Sequence, residues 1–277
     1  MISGDNSKLK TKNALKSLFF PCRGTEKLVF LQFKSENTIM LYQDNQYIKA
    51  QDLSFSGILH DIRKSKIALQ PVFEAFTNAL EAIKIRQKGE KTYKGKIVLK
   101  LFKGETFVND VFQFERLSIT DNGIGFNEEE FKRFNTFKLT NKGFKNLGSG
   151  RIQYVHFFGS TCIKSIFQQD TEYFEREFVV SKKENFLREN AIVKHLYCRK
   201  VEAEEIKTTV TFKELLSNNN AYSNLDDQKL KEELLERYIH YFCYNKETLP
   251  EIEIEYYLQS ELKSQCKISE EDIPNID

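Results

Sequence analysis

Along the chain the spacing of apolar side chains changes repeatedly, and each change predicts a different element. Residues 1–20 are polar and end in two phenylalanines, an arm with no period. VFLQF and TIMLY, between residues 26 and 50, are β-rich runs separated by Lys-Ser-Glu-Asn, the pattern of a short hairpin. From 52 to 88 the step is three or four. Ile58, Leu59 and Ile62, then Leu69, Val72, Phe73, Phe76, Ala79, Leu80 and Ile83, predict two helices, with Pro71 either opening the second or kinking it. After Gly95 the step falls to two. Ile97, Val98, Leu99 and Leu101 predict one strand, and Phe112, Phe114, Leu117 and Ile119 the next. Residues 122 to 150 are rich in Gly, Asn and Lys and too polar for core. RIQYVHFFG then reads as a helix, and CIKSIF, FEREFVV, IVKHLYC and TTVTFKEL as strands. A helix over 228–244 and a strand, IEIEYYL, after Pro250 complete the pattern. Helices that precede and interrupt a mostly antiparallel set of strands predict an α+β sandwich.

Composition narrows the partners without naming one. The 277 residues carry 42 Lys+Arg against 40 Asp+Glu, a net charge of +2 with 30% of residues charged. That balance excludes a polyanion-binding tail as the main theme and leaves nucleic-acid binding undetermined. A hydrophobic fraction of 40%, with 24 Phe and 12 Tyr, excludes a disordered chain. No apolar run reaches the roughly 20 residues of a membrane-spanning helix. The opening MISGDNSKLKTKNALK lacks the apolar stretch of a secretory signal. Cys22, Cys162, Cys198, Cys243 and Cys266 are odd in number and far apart. They predict reduced thiols in a cytoplasmic protein and no cysteine metal site.

Three segments carry candidate chemistry. In EAFTNALEA, Glu74, Asn78 and Glu81 are spaced i, i+4, i+7 and share one helix face, opposite Val72, Phe76, Leu80 and Ile83. A carboxylate there can orient or deprotonate a water, and a carboxamide oxygen can ligate Mg²⁺. The same spacing also fits a solvated polar stripe. In LSITDNGIGF, a strand ends at Asp121, and Gly123 and Gly125 follow. The acid can accept from an exocyclic amine such as adenine's, and the glycines let a ligand approach the backbone. Asp-Asn-Gly is also common turn chemistry. In NLGSGRIQYVHFFG, Gly148 and Gly150 precede a helix whose N-terminal amides suit phosphates. The spacing is neither a P-loop nor a complete Rossmann fingerprint.

In this order, E-x-x-x-N on a helix, D-x-G-x-G after a strand and G-x-G opening a helix resemble the GHKL superfamily. That group comprises gyrase B, MutL, MORC proteins, the large heat-shock chaperone and sensor histidine kinases, with the Bergerat ATP-binding fold. The resemblance runs from about residue 66 to 215 and is nearest the gyrase B/MutL/MORC branch. It is extended by Lys207-Thr208-Thr209-Val210-Thr211-Phe212, which is similar to a late strand beginning Gly-Thr, with Lys207 in place of the glycine.

The resemblance implies a Bergerat-type two-layer sandwich over 61–215, after an N-terminal extension (1–60) and before a C-terminal helix-strand segment (216–277), the start of a transducer-like region. It implies ATP and Mg²⁺ as ligands. Glu74 would be the general base and Asn78 the Mg²⁺ ligand. Asp121 would read the adenine amine, with Gly123 and Gly125 at the pocket floor and Thr208 reaching the base. Gly148, Ser149 and Gly150 would offer amides to the phosphates, and Glu81 would support the site from behind. Residues 127–145 would form an ATP lid carrying Lys132, Arg133, Lys138, Lys142 and Lys145, with Lys142 on the triphosphate. Lid closure would be coupled to an ATP-dependent homodimer or to a separate effector protein. Two alternatives belong to the same resemblance: a regulatory module that holds nucleotide without turnover, and a protein kinase of this fold. The kinase fits less well, because His60, in GILHDIRKS, lacks a long two-helix dimerisation hairpin around it.

Overall fold

The chain divides into two units, Met1–Ile39 and Met40–Asp277. The computed structural model describes residues 42–50, 54–105, 112–136, 150–217 and 220–275, all within the second unit. It is a mixed α and β fold. Its strands are β1 (Tyr47–Lys49), β2 (Lys96–Glu105), β3 (Phe112–Asp121), β4 (Phe158–Gln169), β5 (Glu172–Val180), β6 (Ala191–Val201), β7 (Lys207–Leu215), β8 (Glu251–Leu258) and β9 (Glu261–Ile268). Its helices are α1 (Phe55–Asp61), α2 (Gln70–Gly89), α3 (Glu128–Asn135), α4 (Gly150–Phe157), α5 (Glu184–Arg188), α6 (Asn220–Ser223) and α7 (Asp227–Tyr244).

The strands form one sheet in the order β1-β6-β5-β4-β7-β3-β2-β8-β9. Every pairing is antiparallel except β2 with β8. Side chains alternate between the two faces of a strand, and the two faces here differ sharply. One buries Ile97, Leu99, Leu101, Leu117, Ile119, Phe212, Ile252 and Ile254, which join the inward residues of α2 and α7 in a single core cluster. The other carries cross-strand ion pairs. Lys96 and Lys267 meet Glu253 at 2.6 and 2.5 Å, Lys100 meets Glu255 at 2.9 Å, and Lys164 and Arg199 both reach Glu175 at 2.9 Å.

The helical period over 70–89 puts Val72, Phe73, Phe76, Ala79, Leu80 and Ile83 against the sheet. Leu69 is the N-cap and Pro71 lies in the first turn, so the proline opens α2 rather than kinking it. Tyr238 of α7 locks onto α2 by donating to the Phe73 carbonyl at 2.7 Å and sharing a 2.8 Å hydrogen bond with Thr77. A second cluster joins Phe55 of α1, Phe131 of α3, Ile152 and Val155 of α4, and Ile163, Phe178 and Val193 of the sheet.

The hairpin expected from VFLQF and TIMLY lies, apart from Tyr42, outside the described residues, and Tyr47–Lys49 pairs with the distant β6. The structure departs from the sequence pattern in three places. The polar stretch after Gly125 contains α3, whose Phe131 is fully buried, so one apolar residue per turn anchors a helix that reads as loop. The helix predicted from RIQYVHFFG ends at Phe157, and Phe158 already belongs to β4. Strand β9 carries few apolar residues and takes its conformation from pairing with β8.

Candidate functional site

Across the core face of the sheet, residues align in rows set by strand register. Leu117, Phe212 and Thr161 form one, and Ile119, Val210 and Ile163 the next. The following row is polar: Asp121 on β3 faces Thr208 on β7, Thr208 faces Ser165 on β4, and Ser165 faces Arg176 on β5. All four are buried, with exposures of 6%, 4%, 0% and 0% in that order. A buried polar row interrupting an apolar face costs stability unless its members are paired, and here each finds a partner.

Ser165 and Thr208 share a hydroxyl–hydroxyl bond of 2.9 Å. The Phe126 amide donates to Ser165 Oγ at 2.9 Å. Arg176 Nη1 donates to the carbonyls of Phe126 and Asn127 at 2.8 and 2.9 Å, and its Nη2 pairs with the Glu128 carboxylate. The guanidinium also lies over the Phe131 and Phe167 rings, 4.6 and 5.2 Å from their centroids.

Asp121 stands at the end of β3, where the chain leaves the sheet. Its Oδ1 accepts from the Gly123 amide at 2.9 Å. Burial pushes its carboxyl up to about 7, against the opposing pull of that hydrogen bond. The turn is held from outside by Arg86 and Tyr93, which donate to the Asn122 carbonyl at 3.0 and 2.6 Å. Gly123 lies so close to α2 that a Cβ there would stand 2.5 Å from the Ala82 Cβ. Gly125 has φ +72° and leaves no room for a side chain, its Cβ position being 2.8 Å from that of Phe167.

Helix α2 brings the second motif to the same region. Ala82, in contact with the Asp121 turn, is one turn beyond Asn78 and two beyond Glu74, about 12 Å along the axis at 1.5 Å per residue. Glu74 is half-buried and accepts at Oε1 from Gln70 at 2.8 Å. Its Oε2 lies 2.5 Å from where a Cβ on Gly150 would stand, so the first residue of α4 is seated on this carboxylate. Asn78 is exposed and donates its amide to the Tyr154 hydroxyl at 3.3 Å, which turns that nitrogen toward α4 and leaves its carbonyl oxygen out of this bond. Glu81, on the same stripe, is buried.

Glu74, Asn78, Asp121, Gly123, Gly125, Gly150 and Thr208 therefore fall in two groups joined by α2: Asp121, Gly123, Gly125 and Thr208 about the C-terminal end of β3, and Glu74, Asn78 and Gly150 where α2 meets α4. Lys142, Gly148 and Ser149, with Lys138 and Lys145, fall outside the described residues. Lys132 and Arg133 lie on α3, where Arg133 pairs with Glu130. Lys207 is half-exposed and meets Glu205 at 3.3 Å. Ser165 and Arg176 escape the motif reading, although a local signal exists. Each is a polar residue at a core-facing position, Ser165 between Ile163 and Phe167, Arg176 between Phe174 and Phe178. Among the described residues no group of three or more His, Cys, Asp or Glu is placed to hold a metal. No protein-family profile matches the chain, and no curated protein is significantly similar to it.

Proposed function

We propose that this chain binds ATP with Mg²⁺ and hydrolyses it slowly, as a Bergerat-type two-layer fold of the GHKL superfamily nearest the gyrase B/MutL/MORC branch. The observation that carries this reading is the convergence of three sequence-distant segments: the Asp121 turn against Ala82, the Glu74–Asn78 stripe, and Gly150 against Glu74.

The residues fit the ligand. Asp121 has one oxygen bonded to the Gly123 amide, which leaves the other as an acceptor for an exocyclic amine. Ser165 Oγ accepts from the Phe126 amide and shares a hydroxyl–hydroxyl bond with Thr208 in which either can donate; with Ser165 as the donor, the Thr208 proton would be left for the ligand. An acceptor beside a donor matches the amine and ring nitrogen of adenine, whereas guanine presents the reverse. Gly123 and Gly125 keep side chains out of the approach. Asn78 would offer its carbonyl oxygen to Mg²⁺, an ion that takes few protein ligands and otherwise binds phosphates and water. When bound, Mg²⁺ would neutralise charge developing on the phosphates. Glu74 would align a water and take its proton. Lid closure over 127–145, coupled to a homodimer or to a separate effector protein, is part of the same proposal.

A second reading, nucleotide binding without turnover, is favoured by one observation: Glu74 is already engaged by Gln70 and flanked by Gly150. Mg²⁺-dependent phosphate release by wild type and Glu74→Ala separates the two. Turnover in wild type that the variant abolishes while still binding ATP supports hydrolysis. Unchanged turnover removes Glu74 from the chemistry, and no turnover in either leaves the binding module.

A further inference from the structure

The nucleotide turn is gripped from the far side by groups that no motif contains. Phe126, the residue after Gly125, is held at both ends of its peptide unit: its amide by Ser165 on β4, its carbonyl by Arg176 on β5. Arg176 reaches one residue further to the Asn127 carbonyl and then to Glu128 in the first turn of α3. A guanidinium is suited to this, because its planar fork makes several divergent bonds at once. Full burial between the Phe131 and Phe167 rings fixes its orientation. The same Arg176 closes the polar row that begins at Asp121. Both ends of the D-x-G-x-G segment are therefore tied to one register: Asp121 by its own strand, Phe126 through β4 and β5.

We propose that Arg176 is a positioning residue for nucleotide, which sets the pocket turn between Asp121 and Phe126 and seats α3 beside it. The proposal rests on the ATP-binding reading. Arg176 is fully buried behind the turn. It acts by removing the freedom of the turn before binding, so that ordering it is not charged against affinity. Arg176→Lys keeps the charge beside Glu128, but a single ammonium cannot hold two carbonyls and a carboxylate in this geometry. Glu128→Gln is the counterpart: it breaks the ion pair and leaves both carbonyl contacts in place.

The test is calorimetric titration of the full-length chain with a non-hydrolysable ATP analogue and Mg²⁺, beside circular dichroism and thermal melting. Arg176→Lys is expected to raise Kd tenfold or more with the binding stoichiometry unchanged. Glu128→Gln is expected to lower Tm but hold Kd within about twofold. A purely structural role would lower Tm and the active fraction while leaving Kd of the folded protein alone. Should Arg176→Lys not fold, Phe167→Leu, which removes a ring that fixes the guanidinium and leaves its hydrogen bonds in place, is expected to raise Kd at least threefold. Folded variants of Arg176 and Phe167 that bind like wild type overturn the proposal, as do equal losses of affinity in Arg176→Lys and Glu128→Gln. In both cases wild-type binding keeps the ATP reading intact. Wild type that binds no analogue overturns both.

Discussion

Asp121 is the residue at which the proposed ATP site is most open to test, because its burial ties stability to protonation. Its carboxyl is pushed up to about 7 in the folded protein against a usual value of 3.8. The folded state therefore holds a proton between those values that the unfolded chain has released. Stability contributed by this group is fullest below pH 4 and declines as pH rises toward 7. At about 1.36 kcal/mol per pKa unit the decline is on the order of 4 kcal/mol. Urea unfolding of Asp121→Asn is expected to lack this descending limb. An ionised carboxylate accepts from the adenine amine more strongly than a neutral carboxyl, so ATP affinity should increase from pH 5.5 and level about one unit above the Asp121 pKa of about 7. Calorimetry in buffers of different ionisation enthalpy should detect proton release on the acidic side. The asparagine variant should bind about 1.5–3 kcal/mol more weakly, the cost of an unpaired buried polar group, and without the pH dependence.

At the scale of elements, the site is a contact between one helix and one turn. Gly123 allows α2 to approach β3 within a distance that a methyl group would forbid, since the obstacles are the Ala82 Cβ and the Ala82 backbone carbon at 2.5 and 2.7 Å. Gly123→Ala is expected to destabilise by about 1–3 kcal/mol through overpacking, and to weaken ATP binding by displacing the turn. Gly89→Ala, at the end of the same helix, meets nothing within 4 Å. It should leave Tm unchanged or slightly higher. Gly150→Ala differs again, because its nearest obstacle is the Glu74 carboxylate rather than backbone. Phosphate release should fall more than ATP affinity does.

For the molecule as a whole, near-neutral charge has a structural address. The sheet face opposite the core is laced with ion pairs that run across β9, β8 and β2, and across β4, β5 and β6. Glu253 lies between Lys96 and Lys267, whose hydrogen bonds hold its carboxyl down to about 2, below the usual 4.5. Its contribution is present above pH 4.5 and is lost as pH falls toward 2, the opposite direction to Asp121. Glu253→Gln should shift the midpoint of acid unfolding upward and cost about 1 kcal/mol at neutral pH, since half-exposed lysines screen the pair. The parallel pairing of β8 with β2 carries the C-terminal segment into the same sheet as Asp121. Among the described residues no helix is long and apolar enough to cross a membrane.

Elements whose period is local are legible in the chain alone: α2 with its inward Val72, Phe76 and Leu80, α7, and the alternating strands β2 to β8. The sequence also placed Glu74, Asn78 and Asp121 on elements of the right type, because helix face and strand end follow from spacing alone. It did not reveal α3, which is anchored by the single buried Phe131, or β9, which exists by pairing. Nor could it join Ser165 and Arg176 to the pair of Asp121 and Thr208 that the motif resemblance brings together. Their alignment depends on which strands are neighbours and in what register, and a shift of one residue would turn each side chain to the opposite face. That choice belongs to the tertiary structure, where burying the apolar rows on either side of the polar one fixes the register of all four strands at once.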